Sequence, residues 1–522
     1  MSTAPLDETL KKAIALHDAG KYGEAAEIYR DLLCKDPNNV LLMHLLALVA
    51  MQMDQPNMVL VLSEQGLSLR PDIAVLHQDR ATALRRLGRK EEALAAIHQA
   101  LALDPKQADF YHTLSSIQRD MRQYGLAVES LNKAITLNPD DPKFYNNLAI
   151  CLSRMGANEE ALSTVDRYIK LRPDMAEGYN NKANILKSLR HYREALENYD
   201  KALAINPHIF MGKANKGITH LVVGDYRQGW ELFEHRLPGN MPPEAKRFDP
   251  ARRWKGQSDP KATLIIYNEQ GLGDTVQFCR YVPQARGRMG RVILQAQAPL
   301  LQLMKFQWPD LEIISPDDPL PEYHYQCPLM SLPHVFGVTV ENLPVEKIYL
   351  RADPAKTRAW QEKLPQNGLK RIGLVWAGNP DHMNDHLRSI PLAQFAPLWQ
   401  IPGLHFFSLQ KGQKALEEMA CLPAALPFTP AGDALKDFSD TAGLIANLDL
   451  LVSVDTATLH LAGALGVPGY GLLQYDPDWR WLASRPDTPW YASLRLFRQR
   501  HFGKWEGAVE ELCQTLSALF RK

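Results

Sequence analysis

The stretch GANEEALSTVDRYIKLRP (Gly156–Pro173) decides how the first half of this 522-residue chain is read. It opens on a glycine, runs through Ala161 without a helix breaker and closes on a proline. Its landmarks recur every 34 residues. Pro37, Pro71, Pro105, Pro139, Pro173 and Pro207 share one phase. Ala25, Ala93, Ala127, Ala161 and Ala195 share a second, with Val59 in the remaining place. Tyr22, Tyr124, Tyr192 and Tyr226 keep a third, and Gly20, Gly88, Gly156 and Gly224 a fourth. Glycine lets the chain turn, and the small alanine lets two helices approach. Tyrosine fills the gap between the helices, and proline closes the second one. A helix-turn-helix unit of this length cannot bury its apolar face alone, so the units must stack into a solenoid with a concave surface.

These landmarks resemble the tetratricopeptide (TPR) repeat, and they assign residues 1–237 to about six to seven helix pairs. Asn147, Asn181 and Asn215 are again 34 apart, on the first helix of successive units, and earlier units hold Thr113, Asp79 and Leu45 in that phase. An amide both donates and accepts a hydrogen bond, which suits a grip on a peptide backbone. Similar asparagine ladders occur in TPR-bearing O-linked N-acetylglucosamine transferases. That resemblance implies an acceptor-binding role for Asn147, Asn181 and Asn215.

Composition changes after residue 237. Nine of the 36 prolines and one of the ten tryptophans (Trp230) come before residue 238. Residues 238–260 read as a linker. Short apolar runs then alternate with helical stretches, with strands expected at 263–268, 291–297 and 311–314 and helices at 275–288 and 298–306. After a connecting stretch at 352–369 the alternation resumes, with strands expected at 371–377, 405–409, 448–454 and 469–473. Helices are expected at 392–400, 438–447, 456–465 and 505–520. Such βαβ alternation implies parallel sheets covered by helices. We therefore expect an all-α TPR solenoid followed by an α/β, GT-B-like pair of Rossmann-like lobes. The first spans 261–351 on the acceptor side. The second spans 352–522 on the donor side and carries a C-terminal helix.

Ligands of such sheets sit beyond the carboxyl ends of the strands. One such place is YNEQGLGDT (Tyr267–Thr275), where Gly271 and Gly273 allow a tight turn and Asp274 begins a helix, either as a cap or facing the cleft. Another is LVSVDTATLHLAGALGVP (Leu451–Pro468). There an apolar strand runs into Asp455 and Thr456, and helix amides with the Thr456 hydroxyl form an anion site suited to a pyrophosphate. His460 lies one turn on, on the same face. Asn379 and Lys411 follow other strands, and Lys411 is placed to neutralise a diphosphate.

The stretch Asp455–Pro468 resembles the donor motif of lipopolysaccharide heptosyltransferases, with Ala457 where that motif usually has glycine. Gly271–Asp274 is similar to the glycine-Asp motif of their first lobe, and the resemblance implies that Asp274 is a catalytic base in an inverting transfer. It further implies that Gly271, Gly273, Asn379, Lys411, Asp455, Thr456 and His460 hold a nucleotide-sugar donor. The overall layout resembles bacterial TPR-linked glycosyltransferases, so the expected function is sugar transfer to a protein, peptide or glycan acceptor held in part by the repeats. The alternative is a TPR protein-interaction scaffold whose second half is a degenerate, non-catalytic glycosyltransferase. No metal or cofactor is expected, because helix dipoles and cations can handle the diphosphate. Lys+Arg 59 against Asp+Glu 59 argues against nucleic-acid partners. Six scattered cysteines and the absence of a signal-like start or transmembrane segment lead us to expect a cytoplasmic chain.

Overall fold

The computed structural model describes residues 8–237, 246–343, 348–382 and 384–520. The first part of the expected linker, 238–245, lies outside these. The chain divides into two compact units, Met1–Leu186 and Lys187–Lys522. The first is helical throughout, running from Glu8–Asp18 through most of Ala176–Ser188. Three further helices of the repeat pattern, Tyr192–Ile205, Phe210–Val222 and Tyr226–Phe233, belong to the second unit. That makes fourteen helices, seven pairs, in the TPR region of the described residues.

The repeated residues do the jobs their chemistry dictates. All five phased alanines are 0% exposed, and Val59 is 1% exposed in the same position. The four turn glycines all have positive φ, from 74° to 87°. In the remaining turns of this phase Asp54, Arg122 and Arg190 adopt φ of 54°, 61° and 64°. The helix-turn-helix geometry therefore imposes a left-handed residue whether or not glycine is there, at about 1–2 kcal/mol for a residue with a Cβ.

The second unit contains two sheets. β1 (Asp259–Tyr267), β2 (Met289–Gln295), β3 (Glu312–Ile314) and β4 (Tyr325–Pro328) form a parallel sheet of order β3-β2-β1-β4. β5 (Lys370–Val375), β6 (Leu404–Ser408), β7 (Phe428–Pro430), β8 (Leu450–Val454), β9 (Gly469–Leu473), β10 (Asp487–Thr488) and β11 (Tyr491–Arg498) form the other, in the order β10-β11-β9-β8-β5-β6-β7. Its pairings are parallel except β10 with β11. β8 is buried throughout and β5 from Ile372 to Val375, as central parallel strands are.

Several expectations change in detail. β4, β7, β10 and β11 were not expected. The stretch 352–369 is no bare connection: it holds the helix Pro354–Lys363, whose N-cap Asp353 accepts a bond from the Ala355 amide at 2.8 Å. The helix expected at 275–288 begins earlier, as Leu272–Phe278, and passes through a 3-10 turn at Cys279–Tyr281 into Val282–Arg286. Pro283, which has no amide hydrogen, sits in that last piece. The expected helix at 392–400 is 3-10 over Leu392–Gln400 and contains Pro397.

The last repeat helices are tied to the parts of the second unit that carry both sheets. Arg236 sits at 5% and Glu269 at 4% side-chain exposure, joined by two hydrogen bonds of 2.7 and 3.0 Å. Trp230 donates its indole N–H to the Val338 carbonyl at 3.0 Å, and Trp490 donates to the Tyr226 hydroxyl at 2.9 Å.

Candidate functional site

A cleft of about 1010 Å³ lies in the second unit. Its walls are the segments that follow β1, β2, β5, β6, β7, β8 and β9, so the carboxyl ends of strands from both sheets meet there. Lys187 and Ile218, from repeat helices, complete the rim. Gly271, Gly273, Asp274, Asn379, Lys411, Asp455, Thr456 and His460 all line this one cleft.

Asp274 is held on both oxygens. One accepts the Gly271 amide at 2.8 Å in a capping arrangement, and the other is paired with the Arg480 guanidinium. Arg480 also donates to Gln277 at 2.8 Å and to Asp478 at 2.7 Å. Burial pushes the Asp274 carboxyl above its ordinary range, against the opposing pull of Arg480. The cap weighed from sequence is thus present, and the group is at the same time a carboxylate of raised basicity in the cleft wall.

Gly273 has a specific reason to be glycine. A Cβ there would lie 2.8 Å from Cδ2 of His460, a distance real side chains do not tolerate. His460 is itself fixed: its ring stacks on Trp481 at 5.0 Å between centroids, and Nδ1 is 2.9 Å from the Tyr491 hydroxyl. Burial, then the charges of Arg480, Arg280 and Arg388, keep it well below the usual histidine value and therefore neutral at pH 7. Its Nε2 is 4.0 Å from Asp455 Oδ1. Burial, together with the nearby charge of Asp478, raises the Asp455 carboxyl to about 6.

Thr456 is the N-cap of the helix Ala457–Leu465, with its hydroxyl 3.0 Å from Ser453 Oγ. In its first turn the Leu459 amide bonds the Thr456 carbonyl at 3.0 Å, and Ala457 and Thr458, whose amides have no partner within the helix, line the cleft. Arg388 braces the same corner by donating to the Asp455 carbonyl at 3.0 Å and to Asp385 at 3.1 Å. The Lys411 ammonium is bonded to the Leu435 carbonyl. Trp479 and Trp481 are 3% and 0% exposed, and Trp479 also lines the cleft. Glu269, committed to Arg236, does not line the cleft.

The asparagines of the repeats lie elsewhere. Asn147 accepts from Arg119 at 3.1 Å, and its Nδ2 is 2.6 Å from His112 Nε2. Asn181 donates to Asn146 at 2.7 Å, and Asn146 donates to Glu177 at 2.7 Å. These bonds belong to a series: His44 pairs with Asp79 at 2.6 Å and Gln78 with Thr113 at 3.1 Å, each across 35 residues like His112–Asn147 and Asn146–Asn181. The row therefore staples one repeat to the next. Asn215, half-buried on helix Phe210–Val222, belongs to the second unit.

Sequence reasoning missed Arg480 as the partner of Asp274 and Tyr491 as the anchor of His460. Arg480 stands between Trp479 and Trp481, and that aromatic-basic run is the local signal that could have found it.

Comparison with known proteins supports the repeats directly. Tetratricopeptide repeat families match residues 74–107, 118–185 and 176–209. The chain is 29% identical over 313 residues to Protein FlbA of Caulobacter vibrioides, covering 55% of this chain and 52% of FlbA. The chain thus spans about half the length of that relative. Among solved structures, YrrB, described as a TPR protein with an unusual peptide-binding site, aligns with TM-score 0.30 and 21% identity over 37% of this chain and 98% of YrrB. PilW, a type IV pilus biogenesis factor, aligns with TM-score 0.36 and 23% identity over 38% of this chain and 93% of PilW. The chain carries TPR repeats, an architecture suited to protein and peptide partners. No helix among the described residues is long and apolar enough to cross a membrane.

Proposed function

We propose that this chain is a glycosyltransferase of GT-B type, moving a sugar from a nucleotide-sugar donor to a protein or glycan acceptor held in part by the repeats. The observation that carries the reading is the convergence of one carboxylate, Asp274, and one open helix N-terminus, at Thr456–Ala457, on the same cleft beyond the strand ends of two parallel sheets. In an inverting transfer Asp274 takes the proton of an acceptor hydroxyl as its oxygen bonds to the anomeric carbon. The bond from that carbon to the diphosphate breaks, and the helix dipole with Lys411 receives the departing charge. Arg480 releases one oxygen of Asp274 for the step. On the repeats, Asn147 and Asn181 exchange bonds within the protein for bonds to a bound acceptor, and Asn215 adds a further contact.

A second reading, a protein-interaction scaffold with a non-catalytic cleft, is favoured by one observation: both oxygens of Asp274 are engaged. Release of nucleoside diphosphate from a panel of nucleotide sugars separates the two. The transferase reading expects turnover in the wild type and a loss of at least about 10²-fold in Asp274→Asn at near-normal melting temperature. If Asp274 only caps its helix, the variant loses about 1 kcal/mol of stability and keeps its activity. No release from any donor leaves the scaffold.

A further inference from the structure

The turn that leads from β1 to Asp274 is held residue by residue. Asn268 accepts from Gln295 Nε2 at 3.1 Å, the Gln270 carbonyl accepts from Gln297 Nε2 at 2.9 Å, and the Gly271 amide donates to Asp274 at 2.8 Å. Gln295 closes β2 and Gln297 follows it, so the first two holds come from a neighbouring strand exit. Glu269 is held from outside the sheet. Its Oε1 and Oε2 accept from Nη2 and Nε of Arg236 at 2.7 and 3.0 Å, and Oε1 also accepts the Met330 amide at 3.2 Å. Arg236 ends the 3-10 turn Glu234–Arg236, which follows the last repeat helix, Tyr226–Phe233. One fork thus joins the end of the repeats to the turn that carries the cleft carboxylate.

The pair is built for geometry. All five guanidinium N–H groups of Arg236 are used: beyond Glu269 they reach the Ser331 hydroxyl at 2.9 Å, the Phe233 carbonyl at 3.2 Å and Glu234 at 2.9 Å. Arg253 closes the group by donating to Glu234 at 2.5 Å and to Ser331 at 2.7 Å, so two guanidiniums face two carboxylates. A buried ion pair is often no better for stability than apolar side chains of the same volume. What two parallel bonds add is a fixed distance and a fixed plane, which a lysine cannot supply. Position is what a reacting group needs most, since a misplacement of about 1 Å costs about 10²-fold in rate. Arg236 is also close enough to act on Asp274 directly: burial pushes that carboxyl up, and Arg236, behind Arg480, is among the cations that pull against it.

We propose that Arg236 and Glu269 are positioning residues for Asp274, so that the last repeat pair is part of the frame of the reaction centre. Neither lines the cleft, and both act through the turn after β1. The inference rests on the transferase reading. The same repeat pair includes the helix Phe210–Val222 with Asn215, so an acceptor contact and the base are referred to one joint.

The test reads nucleoside diphosphate released by the full chain from the nucleotide sugar that the wild type uses. The variants are Arg236→Lys, the double variant Arg236→Met/Glu269→Met, and Asp274→Asn with and without Arg236→Lys. Arg236→Lys keeps the charge and loses the fork. The double variant removes both charges and so leaves no unpaired ion of this pair buried. We expect kcat to fall at least about tenfold in both, with the donor KM within about twofold of wild type. On top of Asp274→Asn, Arg236→Lys should cost less than about twofold more, because the group it positions is already gone. Amide exchange over residues 268–275, followed by mass spectrometry, should be at least about tenfold faster in Arg236→Lys. Wild-type kcat in the two folded variants overturns the inference alone. So does an unchanged exchange rate, and so does a loss of the same factor with and without the Asp274 carboxylate, which marks general damage. No release by the wild type from any donor overturns the transferase reading and the inference with it.

Discussion

The polar row of the repeats and the polar lining of the cleft are built from the same kinds of side chain and used in opposite ways. Along the first helices, His44, Gln78, His112 and Asn146 each bond to a partner 35 residues on. Burial holds His112 down at about 4, so it is neutral and its Nε2 can accept from Asn147. These groups satisfy one another. Asn180, next in the same phase, leaves its Oδ1 buried without a partner among the described residues, so the row closes over four steps. In the cleft, the helix at Thr456 presents its amide end to the opening. Evenly spaced polar residues can be structure, and unevenly spaced ones can be a site. What separates them is whether their hydrogen bonds close within the protein.

The sharpest way to break this contrast is Asp79→Ala. It leaves His44 without its buried partner, and we expect a loss of about 1–3 kcal/mol in unfolding free energy by chemical denaturation, with nucleotide binding unchanged. Unchanged stability would mean that the row is not a staple.

A smaller effect sharpens the cleft side. The Asp455 carboxyl titrates near 6, raised from 3.8 by burial and by Asp478. A raised carboxyl contributes stability that is fully present below its unfolded value and lost as pH rises through about 6. Protonation also removes a negative charge beside the helix N-terminus. Diphosphate affinity should therefore rise as pH falls from 7 to 5, by up to about tenfold per pH unit for one linked proton. Asp455→Asn should flatten that dependence. The difference between the two titrations isolates this group from the phosphate's own ionisation.

The repeats were legible because helix ends and turns force particular chemistry at a fixed interval, so Pro173, Ala161 and Gly156 carry the pattern openly. The staples were not. They run across 35 residues, joining two phases of a 34-residue repeat, and Asn147 and Asn181 looked like an open ladder when each phase was read alone. The strand-turn-helix signals at Gly271–Asp274 and Asp455–His460 brought the right residues to one cleft. The contact of Gly273 with His460 joins segments nearly 190 residues apart, and no local pattern announces it. β11 was hidden for a related reason: its alternating burial, with Arg495 exposed between Leu494 and Leu496, lacks the continuous apolar run that marks β8. The helix Pro354–Lys363 buries only Trp360, so its sequence has no apolar stripe to reveal it.

The central claim is that the cleft takes a nucleoside diphosphate at the Thr456 helix N-terminus. It is tested most directly by the melting temperature of the full chain with each nucleoside diphosphate, for wild type and Thr456→Val. At about 100 times the dissociation constant, binding stabilises the folded state by about 2.7 kcal/mol. The account predicts such a rise for at least one diphosphate in the wild type and most of it lost in a Thr456→Val protein that melts normally without ligand. No rise with any diphosphate, or an equal rise in the variant, would contradict it.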